Sequence, residues 1–217
     1  MGLDQIIARV RAAEAQAGRA QGSVTLIAVS KVQPAARVEA VLTAGQRVFG
    51  ENYVQEAAGK WPDWRDRFAG VELHMIGPLQ SNKAAQAVGL FDAIHSLDRM
   101  SLARKLAQQI EAQARAPQLF IQVNTGDEPQ KAGILVDELP GFLSECRALG
   151  LDPQGLMCIP PEADDPAPHF ALLRDLAAGL SLPGLSMGMS ADFETAIAHG
   201  ATHVRVGSAI FGARDYS

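Results

Sequence analysis

Residues 24–31, Val24-Thr25-Leu26-Ile27-Ala28-Val29-Ser30-Lys31, run apolar for the length of a strand and then stop at an amine. A continuous apolar run suits a strand buried on both faces, as in a parallel sheet covered by helices. In such folds chemistry collects where the strands end. Lys31 therefore has two readings: a side chain that ends the buried segment and reaches for water, or a nucleophile at a site.

Similar short runs recur at residues 47–50, 71–77, 91–96, 118–124, 155–160, 185–189 and 203–211, giving about eight strands. Between them, apolar residues three and four apart predict helices over 35–44, 54–67, 82–88, 99–114, 136–149, 167–180 and 191–199, with an opening helix over 3–17. Gly18, Gly45, Gly70, Gly150 and Gly200 fall at or just past helix ends, and Pro34, Pro117, Pro140 and Pro166 near element starts. This alternation predicts an α/β fold: a single (β/α)8 TIM barrel, one domain over 1–217, with an extra N-terminal helix. The alternative, an open doubly wound sheet, would carry a Gly-x-Gly-x-x-Gly turn after its first strand. Lys31-Val32-Gln33-Pro34 stands there instead.

The chain has 217 residues, 47% of them hydrophobic, enough for one sizeable core and too few for two ordinary domains with a linker. A net charge of −5, with no basic run interleaved with aromatics, argues against a nucleic-acid partner. The N-terminal stretch is amphipathic and charged rather than signal-like, and no apolar segment is long enough for a bilayer. A cytoplasmic protein with no membrane partner is expected. Cys146 and Cys158 fit reduced core thiols better than a disulfide frame.

In barrels of this kind the loops after the seventh and eighth strands often build an anion site from backbone N–H groups. Here the seventh runs into Ser186-Met187-Gly188-Met189-Ser190 and the eighth into Arg205-Val206-Gly207-Ser208. Each pairs a glycine with a serine, which suggests one phosphate held from two sides. Ser190 also reads as an ordinary N-cap, and Gly207-Ser208 as an ordinary turn. Asp192 and Glu194 would repel a phosphate unless they face away. Arg205 alternates with Val204 and Val206, so it points either into a barrel, where its charge needs a partner, or outward between helices. His199 and His203 are four residues apart, but Gly200 breaks the helix that would align them, and no metal site is expected. His74 and His95 read as hydrogen-bonded core or rim residues.

A lysine, a phosphate cradle and an arginine at one mouth suggest pyridoxal 5′-phosphate, whose aldehyde needs an amine, whose phosphate needs an anion site and whose ring nitrogen needs a partner. The segments Ala28-Val29-Ser30-Lys31, Phe49-Gly50-Glu51-Asn52-Tyr53-Val54-Gln55-Glu56, His74-Met75-Ile76-Gly77-Pro78-Leu79-Gln80-Ser81-Asn82-Lys83, Ile94-His95-Ser96-Leu97-Asp98, Ser186-Met187-Gly188-Met189-Ser190 and Arg205-Val206-Gly207-Ser208-Ala209-Ile210-Phe211-Gly212 closely resemble the YggS/PROSC family of pyridoxal phosphate homeostasis proteins, in order and nearly end to end. The resemblance implies an alanine-racemase-like barrel that carries pyridoxal 5′-phosphate as a Schiff base. It implies a role in vitamin B6 balance and, through it, in amino-acid and keto-acid metabolism. By position it assigns the Schiff base to Lys31, the phosphate to Ser190, Gly207 and Ser208 with Met187 in the same motif, the pyridine nitrogen to Arg205, and the side of the ring to Asn52. One departure stands out: Leu73 replaces a usual aromatic and Met75 a frequent phenylalanine, which leaves the packing behind the third strand in question.

An arginine facing the pyridine nitrogen disfavours its protonation and weakens the ring as an electron sink. The tyrosine that racemases of this fold bring from a second domain has no evident counterpart, since Tyr53 and Tyr216 are the tyrosines available. The expectation is a binding and delivery protein rather than an enzyme, a monomer that passes the cofactor to pyridoxal-phosphate-dependent apo-enzymes. Against it stand a racemase or lyase using Lys31 with Tyr53 or His74 as second base, and a cofactor-free class I aldolase. Lys83 and Lys131 read as rim residues or as holders of a second cofactor molecule.

Overall fold

The computed structural model describes residues 2–212, so Tyr216 lies outside the described residues. Its strands are β1 (Thr25–Val29), β2 (Val48–Glu51), β3 (Glu72–Met75), β4 (Ala93–Leu97), β5 (Gln118–Asn124), β6 (Ile134–Leu135), β7 (Pro153–Met157), β8 (Gly184–Ser186) and β9 (His203–Val206). Its helices are α1 (Leu3–Gln16), α2 (Ala35–Thr43), α3 (Val54–Ala58), α4 (Trp61–Arg67), α5 (Ala84–Leu90), α6 (Met100–Gln113), α7 (Leu139–Ala148), α8 (Pro166–Gly179), α9 (Phe193–Ala198) and α10 (Ser208–Phe211). Every strand pair is parallel, and the order β4-β3-β2-β1-β9-β8-β7-β5 closes through a β4–β5 pairing into an eight-stranded barrel, with β6 beside β5. No described helix is long and apolar enough to cross a membrane.

The strands pleat between two layers. Phe49, Leu73, Met75, Ile94 and Val204 face outward into the apolar layer under the helices, while Ile27, His74, His95, Phe120, His203 and Arg205 alternate with such residues and face the axis. Leu73 and Met75 are both buried in that outer layer, so the packing behind β3 holds without the aromatics. Trp61 fills much of the space behind β2, its ring 4.9 Å from Phe49 and 5.0 Å from Trp64.

Helix α1 buries Leu3, Ile6, Val10 and Ala13 and packs on α9 and α10. Its Glu14 carboxylate is enclosed and accepts the N–H groups of Gly22 (3.1 Å) and Val24 (2.7 Å), pinning the approach to β1.

Two predicted elements are corrected. The helix expected over 54–67 is two, because Pro62 has no N–H and its ring excludes the carbonyl of Ala58, so α3 ends and α4 restarts with proline in its first turn. The strand expected over 203–211 stops at Val206. Gly207 takes φ −116°, ψ −82°, and Ser208–Phe211 coil into a helical turn.

Candidate functional site

Ser30 continues the β1 ladder by donating its N–H to the Gly50 carbonyl (3.0 Å), and its hydroxyl turns outward to Glu51 Oε1 (2.8 Å). The pleat then assigns Lys31, which is half-buried, to the inner side of the rim. The next residue, Val32, sits at φ +57°, a left-handed conformation that is costly for a β-branched side chain. Its N–H is held by Glu56 Oε1 of α3 (2.8 Å), and Glu56 is paired with Lys60 (2.7 Å). Lys60 also reaches Glu51 Oε1 (3.1 Å), the oxygen that accepts Trp61 Nε1–H (3.0 Å). Burial pushes the Glu51 carboxyl up, against the pull of Lys60 and the hydrogen bonds of Ser30 and Trp61. A strained turn whose N–H is held by Glu56, itself tied through Lys60 to buried Glu51, fixes the backbone of Lys31 in place.

The loops after β8 and β9 meet beside this turn, because β9 pairs with β8 on one side and with β1 on the other. Gly188 has φ +93°, and a Cβ there would lie 2.6 Å from Ala196 Cβ, so no other residue fits. Its carbonyl accepts the Arg205 N–H (3.0 Å), joining the two loops. Ser190 is half-buried in the following turn but does not cap a helix. Phe193 opens α9, and Asp192, at the N-cap position, turns its carboxylate back to the Met189 N–H (2.6 Å). Glu194 leans away onto Arg9 of α1 in a two-pronged pair (2.8 and 2.7 Å). Glu194 is thus drawn away from an anion at these turns, whereas the Asp192 carboxylate stays within the loop and occupies the Met189 N–H. Gly207 and Ser208 form the adjoining turn, with Ser208 exposed. Met187 is different: its side chain is buried in the layer under the helices, so only its backbone borders the rim.

Arg205 points inward and is 5% exposed, which settles its direction. It donates to Ser186 Oγ (2.8 Å) and to the Cys158 carbonyl (2.9 Å). Ser186 Oγ also meets His95 Nδ1 (2.8 Å), and His95 Nε2 meets His74 Nδ1 (3.0 Å). Burial, aided by the charges of His74, His203 and Arg205, drives His95 well below the ordinary imidazole value, and burial brings His203 down to about 4. His74 and His95 are therefore core residues. His199 lies outside the barrel, its ring 6.5 Å from Phe170, and does not converge with His203. No group of three or more His, Cys, Asp or Glu able to hold a metal occurs among the described residues. Cys158 and Cys146 are buried thiols pushed up by that burial to about 12 and about 11.

Asn52 completes the rim from β2. Two clefts meet at it: one of about 320 Å³ bordered by Tyr53, Met75, Pro78 and Lys83, and one of about 250 Å³ bordered by Ile76, Gln122, Asn124, Lys131 and Ile159. Lys131 is paired with Glu128 (2.6 Å). Tyr53 is 59% exposed. A further cleft of about 240 Å³ near Ile110, Gln118 and Leu151 lies where strands begin, and among the described residues Asp152 is the only charged side chain lining it. The side chains that the motifs did not single out are Ser186, which anchors Arg205, and the Glu51–Glu56–Lys60 set behind Lys31. For Ser186 the signal was a polar residue flanked by apolar ones in a strand, Leu185-Ser186-Met187; the Glu51–Glu56–Lys60 set, spread over the end of β2, helix α3 and the residue before α4, has no such local pattern.

A closed parallel barrel with an amine after its first strand, an inward arginine on its last and paired glycine–serine turns belongs to the class typified by the N-terminal domain of alanine racemase. The family model of that domain matches residues 2–215. The pyridoxal phosphate homeostasis protein of Pseudomonas aeruginosa is 44% identical over 218 residues, 98% of this chain and 94% of that protein. Its counterpart in Escherichia coli is 42% identical over 227 residues, 99% and 96% of the two chains. PipY of Synechococcus elongatus, solved with PLP bound, superposes with a TM-score of 0.84 at 39% identity, over 95% of this chain and all of that one. This chain belongs to the family of the pyridoxal phosphate homeostasis proteins.

Proposed function

We propose that this chain binds pyridoxal 5′-phosphate at the barrel mouth and keeps vitamin B6 in balance by holding and releasing it, without turning over amino acids. The observation that carries the reading is the continuous arc of β8, β9 and β1, which sets the Lys31 turn, both glycine–serine turns and inward Arg205 side by side. The names of the relatives and the PLP-bound PipY structure support the same ligand.

The residues present fit the cofactor. Lys31 offers the amine; Gly207, Ser208, Ser190 and the backbone around Met187 and Gly188 offer neutral donors to an anion; Arg205 offers a donor to a ring nitrogen; Asn52 borders the opposite side. When bound, the cofactor supplies an aldehyde that condenses with an amine with loss of water. The strained Val32 turn orients Lys31 for that contact, and Arg205, which stays protonated and only donates, presents a positive charge where a proton would otherwise sit. Neither candidate for a second base suits racemase or lyase work: Tyr53 is turned to solvent, and His74 is enclosed and engaged with His95. The recipients in this reading are apo-enzymes that need the same cofactor, in the cytoplasm, and the carrier acts as a monomer.

The test is an absorption spectrum of the protein with added cofactor before and after borohydride, followed by peptide mapping. The expected result is a stable modification at Lys31, absent in Lys31→Ala, and amino-acid turnover below about 1 s⁻¹. A Lys31→Ala protein that keeps a reducible, coloured adduct, or wild-type turnover at ordinary enzymatic rates, overturns it.

A further inference from the structure

We infer that His74, His95 and Ser186 form one directed hydrogen-bond chain through the barrel interior, biased by Glu72 at its far end, that holds Arg205 in its orientation at the mouth. These are positioning residues, acting through Arg205. The chain's direction follows from this structure alone; its consequence for the cofactor rests on the function proposed above.

The direction comes from donor and acceptor inventory. A guanidinium only donates, so Arg205 gives a hydrogen to Ser186 Oγ at 2.8 Å. Ser186 then points its own hydrogen at His95 Nδ1, 2.8 Å away, which leaves that nitrogen bare. A neutral His95 carries its hydrogen on Nε2, which faces His74 Nδ1 at 3.0 Å. His74 in turn carries its hydrogen on Nε2, which faces the Glu72 carboxylate at 3.8 Å, an electrostatic contact rather than a hydrogen bond. Run the other way, the chain would turn a bare His74 nitrogen toward a carboxylate and make Ser186 accept twice while its hydrogen lost its place in the chain.

Its surroundings disfavour a cationic His95: it is fully buried, the Arg205 charge faces it, and its hydrogen-bond partners among the described residues, His74 and Ser186, include no carboxylate. Its ring is also locked in plane, stacked on Phe120 at 4.3 Å and 13°. His203 is held by Thr202 Oγ1 (2.8 Å), and the Cys158 thiol beside Arg205 stays protonated. With NH1 on Ser186 and NH2 on the Cys158 carbonyl, the guanidinium plane has two anchors among the described residues.

The deciding measurement is long-range ¹H–¹⁵N NMR of the histidine rings in the cofactor-free protein, so a failure of cofactor binding leaves it intact. Expected are Nε2–H tautomers for both His74 and His95, with His95 taking up no proton from about pH 5 to 8. An Nδ1–H tautomer in either ring, or titration of His95 in that range, overturns the chain. Glu72→Leu, on an exposed side chain, is expected to leave the fold intact and give a mixture of tautomers at His74; an unchanged His74 refutes the bias. Ser186→Ala tests positioning: about tenfold weaker cofactor retention by dialysis, a shifted pH profile of the bound cofactor's absorption, and Lys31 still fixed by borohydride. An unchanged pH profile means that the chain is merely structural and refutes the positioning role.

Discussion

Replacing Gly77 by alanine tests whether the rim is held as tightly as its geometry implies. Gly77 follows β3 and lies against the Asn52 turn: a Cβ at position 77 would fall 2.6 Å from the Asn52 carbonyl oxygen, 2.7 Å from its Cα and 2.8 Å from its Cβ. Ordinary contact starts near 3.4 Å, so the two backbones must part by roughly 0.8 Å. Neither can swing aside as a side chain would. Glu51 and Met75 are ladder partners one step away, and Ile76 donates its N–H to the Glu51 carbonyl at 2.9 Å. Overpacking of this kind costs about 1–3 kcal/mol, while alanine recovers about 0.4–1 kcal/mol by restricting the unfolded chain. The expected net loss is about 1–2 kcal/mol, read as a lower urea midpoint at unchanged m and a melting temperature lower by roughly 2–8 °C. Gly141→Ala is the control: no atom lies within 4 Å of a Cβ there, and in helix α7 the same chemical change is expected to stabilise by up to about 1 kcal/mol. Because Asn52 borders the proposed cofactor site, Gly77→Ala should also weaken cofactor binding, and Gly141→Ala should not. A Gly77→Ala protein as stable as wild type, or a fall in stability of equal size for both variants, would refute the steric argument.

Three further outcomes are expected. Burial works against ionisation of Glu14, but its bonds to Arg11, Gly22 and Val24 outweigh it and hold the carboxyl below its ordinary value. The stability it gives is therefore whole above an unfolded value near 4.5 and lost as pH falls through the folded one. Glu14→Ala should cost about 2–3 kcal/mol at neutral pH by orphaning two N–H groups, and should flatten the acid limb of a plot of urea midpoint against pH. Arg9→Ala should cost no more than about 1 kcal/mol of stability. By freeing the Glu194 carboxylate beside the proposed phosphate turn it should weaken cofactor binding a few-fold at low ionic strength, an effect that salt removes and that a second change, Glu194→Gln, cancels. Cys146 and Cys158, with thiols near 11 and 12, should resist iodoacetamide at pH 8 in the folded protein and react in urea, as mass spectrometry would count.

The barrel was legible because parallel strands covered on both faces write themselves as unbroken apolar runs, and because helix ends need special backbone. All five glycines read as helix ends have positive φ, from 65° at Gly18 to 101° at Gly45. The break between α3 and α4 was equally available: Pro62 in the middle of a periodic stretch forbids one continuous helix, and periodicity alone conceals it. The turn at Ser208 was harder to see, since Val206, Ile210 and Phe211 keep a strand-like composition while Gly207 permits the change of direction. Ser190 misses the cap position because α9 starts only at Phe193; Asp192 stands there instead, yet its carboxylate folds back to the Met189 N–H and caps nothing, an outcome of loop geometry that residue type does not announce.

Arg205 could not be oriented from its own strand, since alternation fixes only that it opposes Val204 and Val206. Parity between strands carries the missing step. His203 and Arg205 share one face of β9. His74 sits between Leu73 and Met75, and Ser186 between Leu185 and Met187, each a polar residue whose neighbours take the helix-covered side. Once the sheet is closed, the faces left for these polar residues all turn to one axis, where water is scarce and the groups most able to satisfy a buried charge are one another. Closure brings His95 of β4 against Ser186 of β8, residues 91 apart in the chain, across the interior and not along any strand pairing. No local pattern encodes that contact. What the chain does encode is a set of isolated polar residues at matching phase in separate apolar strands, and in a barrel too narrow to admit solvent that phase is itself a statement about who their partners must be.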